Sequence, residues 1–195
     1  MKAFLLIVVL GAAARCARAE DELRLDVLPT TPARPFAQGT WTLEVEGSYT
    51  TPIRYSEAEH TTATVGVGYY LWDDVAILFR GHGLFINEPG DEDDTGAGGF
   101  SVMGRTHFWH AGRFSFYVDG GGGYAWGNEA FPSGGTTYNF TARVGPGVMV
   151  RLTDHAYLTA GARYFHNSNG QVHGREKNPG YDGIEAYVGM VFTFR

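Results

Sequence analysis

A histidine and a serine stand two residues apart in the stretch Arg163 to Gly170, "RYFHNSNG". On an extended strand, residues i and i+2 share a face at about 6.5–7 Å between Cα atoms, so the imidazole of His166 can reach the hydroxyl of Ser168. Such a pair can do acyl-transfer chemistry: the imidazole takes the hydroxyl proton, the oxygen attacks an acyl carbon, and a carboxylate orients the ring. The same residues can also simply end a strand beside an Asn-Gly turn. Which reading holds depends on where this strand lies and on the side to which the pair projects.

The elements around the pair have a period of two almost throughout. Trp41, Leu43, Val45 and Tyr49 alternate with Thr42, Glu44, Glu46 and Ser48, and Val75, Ile77, Phe79 and Phe85 oppose Arg80 and His82. The pattern recurs with Phe100 and Val102 against Arg105, with Val118 against Asp119, and with Val144 and Val148 against Arg143. The seventh segment sets Ala156, Leu158, Ala160, Ala162 and Tyr164 against Thr159 and Arg163, and an eighth closes the chain with "GIEAYVGMVFTFR". Eight segments of about nine to eleven residues have the length that a tilted outer-membrane strand requires. Short turns follow the second, fourth and sixth. Longer polar connections (51–60, 87–97, 127–137 and 169–182) follow the first, third, fifth and seventh. This rhythm predicts an all-β fold, an eight-stranded antiparallel transmembrane β-barrel of the outer membrane.

Charge distribution supports closure. Glu44, Glu46, Arg80, His82, Arg105, His107, Asp119, Arg143 and Arg163 all fall on the polar face. In a small barrel that face is the lumen, where mixed signs pair and no charge meets lipid. Eight strands leave no room for a wide pore, so the lumen is expected to be filled by its own side chains.

The remaining chain is consistent with export. Residues 1–19 read as a signal peptide: Lys2, an apolar run from Phe4 to Ala14, and Ala17-Arg18-Ala19 as the cleavage pattern. Residues 20–37 read as an irregular lead-in, and 38–195 as the barrel. Cleavage after Ala19 removes the single cysteine, Cys16, and three of the 15 basic residues, leaving 21 acidic ones and a net charge more negative than the −6 of the whole chain. That balance argues against a nucleic-acid partner.

In this frame, strict alternation carries the apolar face of the seventh strand through Tyr164 into His166 and Ser168. Both then face the membrane side at the long-loop end. "HNSNG" followed by "NPGYDGIEAY" resembles the C-terminal signature of the outer-membrane lipid A 3-O-deacylases, small barrel esterases. The resemblance implies His166 as general base, Ser168 as nucleophile and Glu185 as the acid that orients the histidine. It also implies lipid A or lipopolysaccharide as substrate, reached sideways from the outer leaflet, with no metal or other cofactor. Tyr181 stands before Asp182-Gly183 where the family pattern has an asparagine. The oxyanion donors expected are therefore the backbone near Ser168 and Asn169, or Asn178, and Tyr164 is expected to contact the acyl chain.

The acid is the open point. In the eighth strand the apolar set is Ile184, Ala186, Val188, Met190, Phe192 and Phe194, so alternation turns Glu185 inward, away from His166. A bulge near Gly183 would restore Glu185 to the outer face and is the preferred reading; otherwise Asp182 or Glu176 orients the ring, or there is no triad.

Other features are read as structural. "EPGDEDD" (88–94) is a solvated acidic loop without EF-hand order. His107 and His110 point to opposite sides of a strand, which disfavours a metal site. Gly120 to Gly123 lies within a strand and eases curvature or close approach. Trp41, Trp72, Trp109 and Trp126 fall near strand ends, as an interfacial girdle does. The alternative to an esterase is a non-enzymatic small barrel that acts through its loops as an adhesin or structural surface protein.

Overall fold

The computed structural model describes residues 35–88 and 94–195. The expected signal peptide, most of the expected lead-in and the centre of the acidic loop lie outside the described residues. The strands are β1 (Trp41–Arg54), β2 (Glu59–Trp72), β3 (Val75–Asn87), β4 (Thr95–Ala111), β5 (Phe114–Gly127), β6 (Tyr138–Arg151), β7 (Ala156–Ser168) and β8 (Tyr181–Phe194). They pair in chain order, all antiparallel, and β8 returns to β1 to close the barrel. Closure gives each strand two ladder partners, so the sheet exposes no unpaired edge to lipid.

The strands run for 13 to 17 residues, longer than the bilayer alone demands. Residues 51–54, 59 and 60, expected in the first connection, belong to the wall: Arg54 pairs with Asp182, and Glu59 with Asn87. Beyond the lipid the ladder still satisfies backbone groups, so β-prone residues prolong it. One end of the barrel therefore carries three tight turns and both ends of the barrel chain. The other carries four connections, the longest of which, 169–180, includes a 3₁₀ turn at Arg175–Lys177.

Alternation sorts the faces as the sequence predicts. Val45, Val65, Phe79, Phe100, Phe140 and Val144 are exposed on the outer wall, while Glu44, Glu46, Arg80, Arg105, Asp119, Arg143 and Arg163 are buried within. The lumenal charges are interlocked. Arg163 donates from Nη1 to Glu46 Oε1 at 2.6 Å and from Nε to Asp119 Oδ1 at 2.9 Å. Arg105 bridges Glu44 at 2.6 Å and Asp119 at 2.9 Å, and Arg80 donates to Glu44 at 2.7 Å. The guanidinium groups of Arg163 and Arg105 also lie over the Tyr187 and Tyr117 rings at 3.6 and 4.3 Å. Burying so many charges is tolerable only because each meets an opposite charge.

The interior is not polar throughout. Phe36, Tyr70, Leu78, Met103, Met149 and Tyr157 fill the turn end, and Leu84, Ile86, Phe131, Phe165 and Tyr181 fill the loop end. Phe36 stacks on His107 with ring centroids 4.0 Å apart, so its ring packs into the mouth of the barrel. The expectation that His107 and His110 project to opposite sides fails here. The β4–β5 register shifts between His107 and Trp109, and this irregularity brings the two rings to 5.9 Å, nearly parallel. His107 bonds Tyr70 and Ser115, whereas His110 bonds Asp74.

Within the glycine run, a side chain at Gly121 or Gly123 would lie 2.1 Å from a carbonyl oxygen of β4, so glycine there permits close strand approach. Trp41, Trp72 and Trp109 are exposed near the turn end and Trp126 near the loop end.

Candidate active site

Two adjacent strand ends and the loop that joins them build the site. On β7 the residues Tyr164, His166 and Ser168 share the outer face, because each step of two returns to the same side of the pleat. Across the ladder, Tyr164 is opposite Ile184, His166 opposite Asp182, and Arg163 opposite Glu185. The pairing runs without interruption from Ala156↔Phe192 to Asn167↔Tyr181, so β8 has no bulge at Gly183. The register shift nearest to this point is on β1, between Pro52 and Arg54.

Regular alternation therefore decides which acid meets the ring. Glu185 lies three residues beyond Asp182 and faces the lumen, where it is buried. There it accepts from Ser48 Oγ at 2.9 Å and pairs with Arg143 at 3.3 Å and Arg163 at 3.5 Å. The bulge that would have turned Glu185 outward is absent, because the β7–β8 ladder already satisfies its backbone in phase. Glu176 is exposed in the 3₁₀ turn and forms no bond to the ring. Asp182 shares the outer face with Ile184, and its Oδ1 lies 2.7 Å from His166 Nδ1.

The remaining contact completes a relay. His166 Nε2 is 3.0 Å from Ser168 Oγ. An ionised carboxylate can only accept, so Nδ1–H donates to Asp182 and Nε2 is left to accept the Ser168 O–H. The Tyr164 hydroxyl donates to the same Asp182 Oδ1 at 2.5 Å, so two donors hold this carboxylate. Tyr164 was expected only to touch the acyl chain; its ring is on the outer wall as expected, and its hydroxyl has this additional partner. The side chain of Asp182 is 8% exposed and that of His166 is 37% exposed, so the acid is sheltered while the base is reachable from outside.

The loop after Ser168 folds back on the site. The Asn169 backbone N–H donates to Asn178 Oδ1 at 2.9 Å, and its Nδ2 donates to the Lys177 carbonyl at 2.5 Å and to Thr136 Oγ1 at 3.2 Å. Its Oδ1 accepts from the Gln171 N–H at 2.9 Å. Asn169 is thus consumed in holding the loop, and its donors are not turned toward Ser168. Asn178 uses Oδ1 as acceptor, and among the described residues no hydrogen bond engages its Nδ2 amide.

The arrangement can thus make a serine oxygen nucleophilic on the outer wall of a barrel. A family comparison decides to which group of barrels the chain is assigned: residues 41–191 match the model of lipid A 3-O-deacylase (PagL). The chain belongs to the lipid A 3-O-deacylase family. The matched region covers every strand through most of β8, including His166, Ser168 and Asp182. The outer membrane enzyme PagL itself has 16% identity to this deacylase-family barrel, with a TM-score of 0.56, over 75% of this chain and 97% of that one. Neisserial surface protein A gives a TM-score of 0.59 at 14% identity, covering 80% and 96% of the two chains. The N-terminal β-barrel domain of Pseudomonas aeruginosa OprF gives 0.54 at 20%, covering 80% and 98%. At such identities these likenesses describe a shared outer-membrane barrel fold. No curated protein sequence matches the chain.

Of the acids the sequence left open, parity favoured Asp182 over the preferred Glu185. Residues 182, 184 and 186 share a face, so the apolar set of β8 already placed Asp182 outside. The bond from Tyr164 was beyond reach, because it depends on the register between two strands.

Proposed function

We propose that this barrel is a serine esterase of the outer membrane that removes the 3-O-linked acyl chain from lipid A. The family assignment supports the reaction class, and one observation carries the reading for this chain: Ser168, His166 and Asp182 form a continuous relay on the lipid-facing wall at the loop end. With both ends of the barrel chain and the tight turns taken as periplasmic, this wall faces the outer leaflet, where lipopolysaccharide resides.

The residues act as follows. His166 Nε2 takes the proton of Ser168 as Oγ attacks the ester carbonyl. Asp182 fixes the ring tautomer and stabilises the imidazolium that forms, without itself taking the proton. The developing oxyanion accepts from Asn178 Nδ2, the donor that the loop leaves uncommitted. His166 then returns the proton to the departing sugar oxygen, and the acyl group remains on Ser168. Water, deprotonated by the same histidine, attacks the acyl-enzyme and releases the fatty acid with Ser168 restored. Glu185, assigned to the acid role by resemblance alone, serves instead in the lumenal ion network.

The acyl chain has a path along the wall. Below the relay, Ala162 pairs with Ala186, and the flanking Ile184 and Val144 pair with Tyr164. Two alanines between larger apolar neighbours leave a shallow trough in line with Ser168, and its contact with Tyr164 retains that residue's expected role.

The test is a mass spectrum of lipid A from cells that carry the wild-type protein, the Ser168→Ala protein or neither. Loss of one 3-O-linked acyl chain with the wild type alone supports the proposal. Unchanged lipid A in all three, with the barrel folded in the outer membrane, favours the non-enzymatic barrel.

A further inference from the structure

Basic residues on this barrel are strictly partitioned. Among the described residues, Arg80, Arg105, Arg143 and Arg163 are inside the lumen, and Arg113, Arg151 and Arg195 are at the turn end. The other three, Arg54, Arg175 and Lys177, are at the loop end, Arg54 at the end of β1 and Arg175 and Lys177 in the β7–β8 connection that joins the two strands of the relay. Arg54 is the ladder neighbour of Asp182 across β1 and β8. Its guanidinium lies 4.8 Å over the Tyr55 ring, which in turn is packed on Gly180, so the first connection is held against the last. Lys177 is fixed through its carbonyl to Asn169, the residue after Ser168, and Arg175 belongs to the same 3₁₀ turn.

All three side chains are exposed, and among the described residues none forms an ion pair. Among the described residues the acids of this rim are spread around it: Glu57 and Glu59 in and beside the β1–β2 connection, Glu88 and Asp94 flanking the β3–β4 connection, Glu129 after β5, and Glu176 and Asp182 among the cations themselves. In a chain with a net charge of −6, the cations of the outer rim are gathered at one place, next to a serine on the lipid-facing wall.

We propose that Arg54, Arg175 and Lys177 form an anion-binding rim that recognises a phosphomonoester on the saccharide headgroup of the lipid substrate. The inference rests on the proposed deacylase reading and extends it to headgroup selection. Guanidinium groups bind phosphate oxygens in a bidentate fork, and an ammonium adds a compact point charge. A phosphate held at the rim sets the sugar ring at the level of Ser168, while its acyl chains descend along the wall. The stretch of rim from the β3–β4 to the β5–β6 connection carries Glu88, Asp94 and Glu129 and, among the described residues, no cation, so the headgroup is drawn to the side of the serine.

The experiment uses the whole barrel in neutral detergent micelles, with the triple variant Arg54→Gln, Arg175→Gln and Lys177→Gln. Deacylation is compared on lipid A and on the same lipid after enzymatic removal of its phosphates. The wild type is expected to prefer the phosphorylated form by about tenfold or more in kcat/KM, and the triple variant to bring that ratio close to one. A ratio unchanged by the triple substitution overturns the rim. A second measurement is independent of hydrolysis: binding of the Ser168→Ala barrel, with and without the rim substitutions, to both lipids and to phosphatidylglycerol. Binding that is strongest for phosphorylated lipid A, weakened by the rim substitutions and lowered by salt supports the rim even if no lipid is cleaved, in which case the deacylase reading fails alone. Equal retention of phosphatidylglycerol and phosphorylated lipid A overturns recognition of a phosphomonoester.

Discussion

Asp182 lies directly across the β7–β8 ladder from His166, and a 2.7 Å contact joins its Oδ1 to the ring nitrogen Nδ1. Three residues further along the same strand Glu185 enters the lumen, so two acids of one short segment have separate partners. Replacing each tests the division. Asp182→Asn is expected to lower kcat by about a thousandfold to ten-thousandfold, since the amide no longer fixes the tautomer. Glu185→Gln is expected to retain turnover and to destabilise the barrel by about 1–3 kcal/mol, because Arg143 and Arg163 lose a counter-charge. Lipid A turnover and urea unfolding of both variants in detergent check the pair; a catalytic collapse in Glu185→Gln alone would reverse the assignment.

Ser168→Ala and His166→Asn are each expected to lower lipid A deacylation by about a thousandfold or more while the barrel remains folded. Substrate release measured on purified, refolded proteins provides the check, with heat-resistant migration on gels confirming that the barrel has formed. The substitutions should be far from additive, because the two residues act as a unit.

Tyr164→Phe removes a single hydroxyl from Asp182 Oδ1 and leaves the ring on the wall. A hydrogen bond to a charged group contributes about 1.5–3 kcal/mol, so a fall in kcat of roughly ten- to a hundredfold is expected if the hydroxyl holds the carboxylate in place. KM should change little, because the apolar ring that faces the acyl chain is retained. A rise in KM at constant kcat would instead make Tyr164 a substrate contact alone.

The alanine trough beside the relay provides a steric test. Ala186→Phe enlarges the side chain opposite Ala162, two ladder pairs below His166 and Asp182 on the same face. Its expected effect is about a tenfold or greater loss of kcat/KM for long-chain lipid A, and much less for a short-chain ester. Parallel rates on the two substrates reveal it, and equal losses on both would place the acyl chain elsewhere.

Inside the lumen, Arg163 is the most connected cation: it meets Glu46, Asp119 and Glu185 and lies over Tyr187. Arg163→Ala is expected to cost about 3–5 kcal/mol, since three carboxylates would remain buried with fewer partners. Denaturant unfolding in micelles measures this, with the variant requiring markedly less urea than wild type.

Much of the barrel could be read directly from the chain, because membrane strands obey a strict period of two. An apolar residue that slips by one position meets charge rather than lipid, so the sequence records the face of nearly every residue. The same period placed His166 and Ser168 together on the outer wall, and it already opposed an outward Glu185. Strand ends were harder to read, because above the bilayer the ladder is extended by pairing with a neighbour rather than by contact with lipid. For that reason Arg54 and Glu59 belong to the wall although they were expected in a connection.

By itself the sequence determined the strand number, the two faces and the placement of His166 and Ser168 side by side on one of them, since each is written in local periodicity or short-range spacing. Only the tertiary structure decided which carboxylate meets His166, the hydroxyl that bonds it, the commitment of Asn169 to the loop and the placement of Arg54, Arg175 and Lys177 on the strand end and connection around it. These depend on the register of β8 against β7 and β1, and on the fold of the last connection. Register is the outcome of the whole closed ring of hydrogen bonds, and no single strand encodes it.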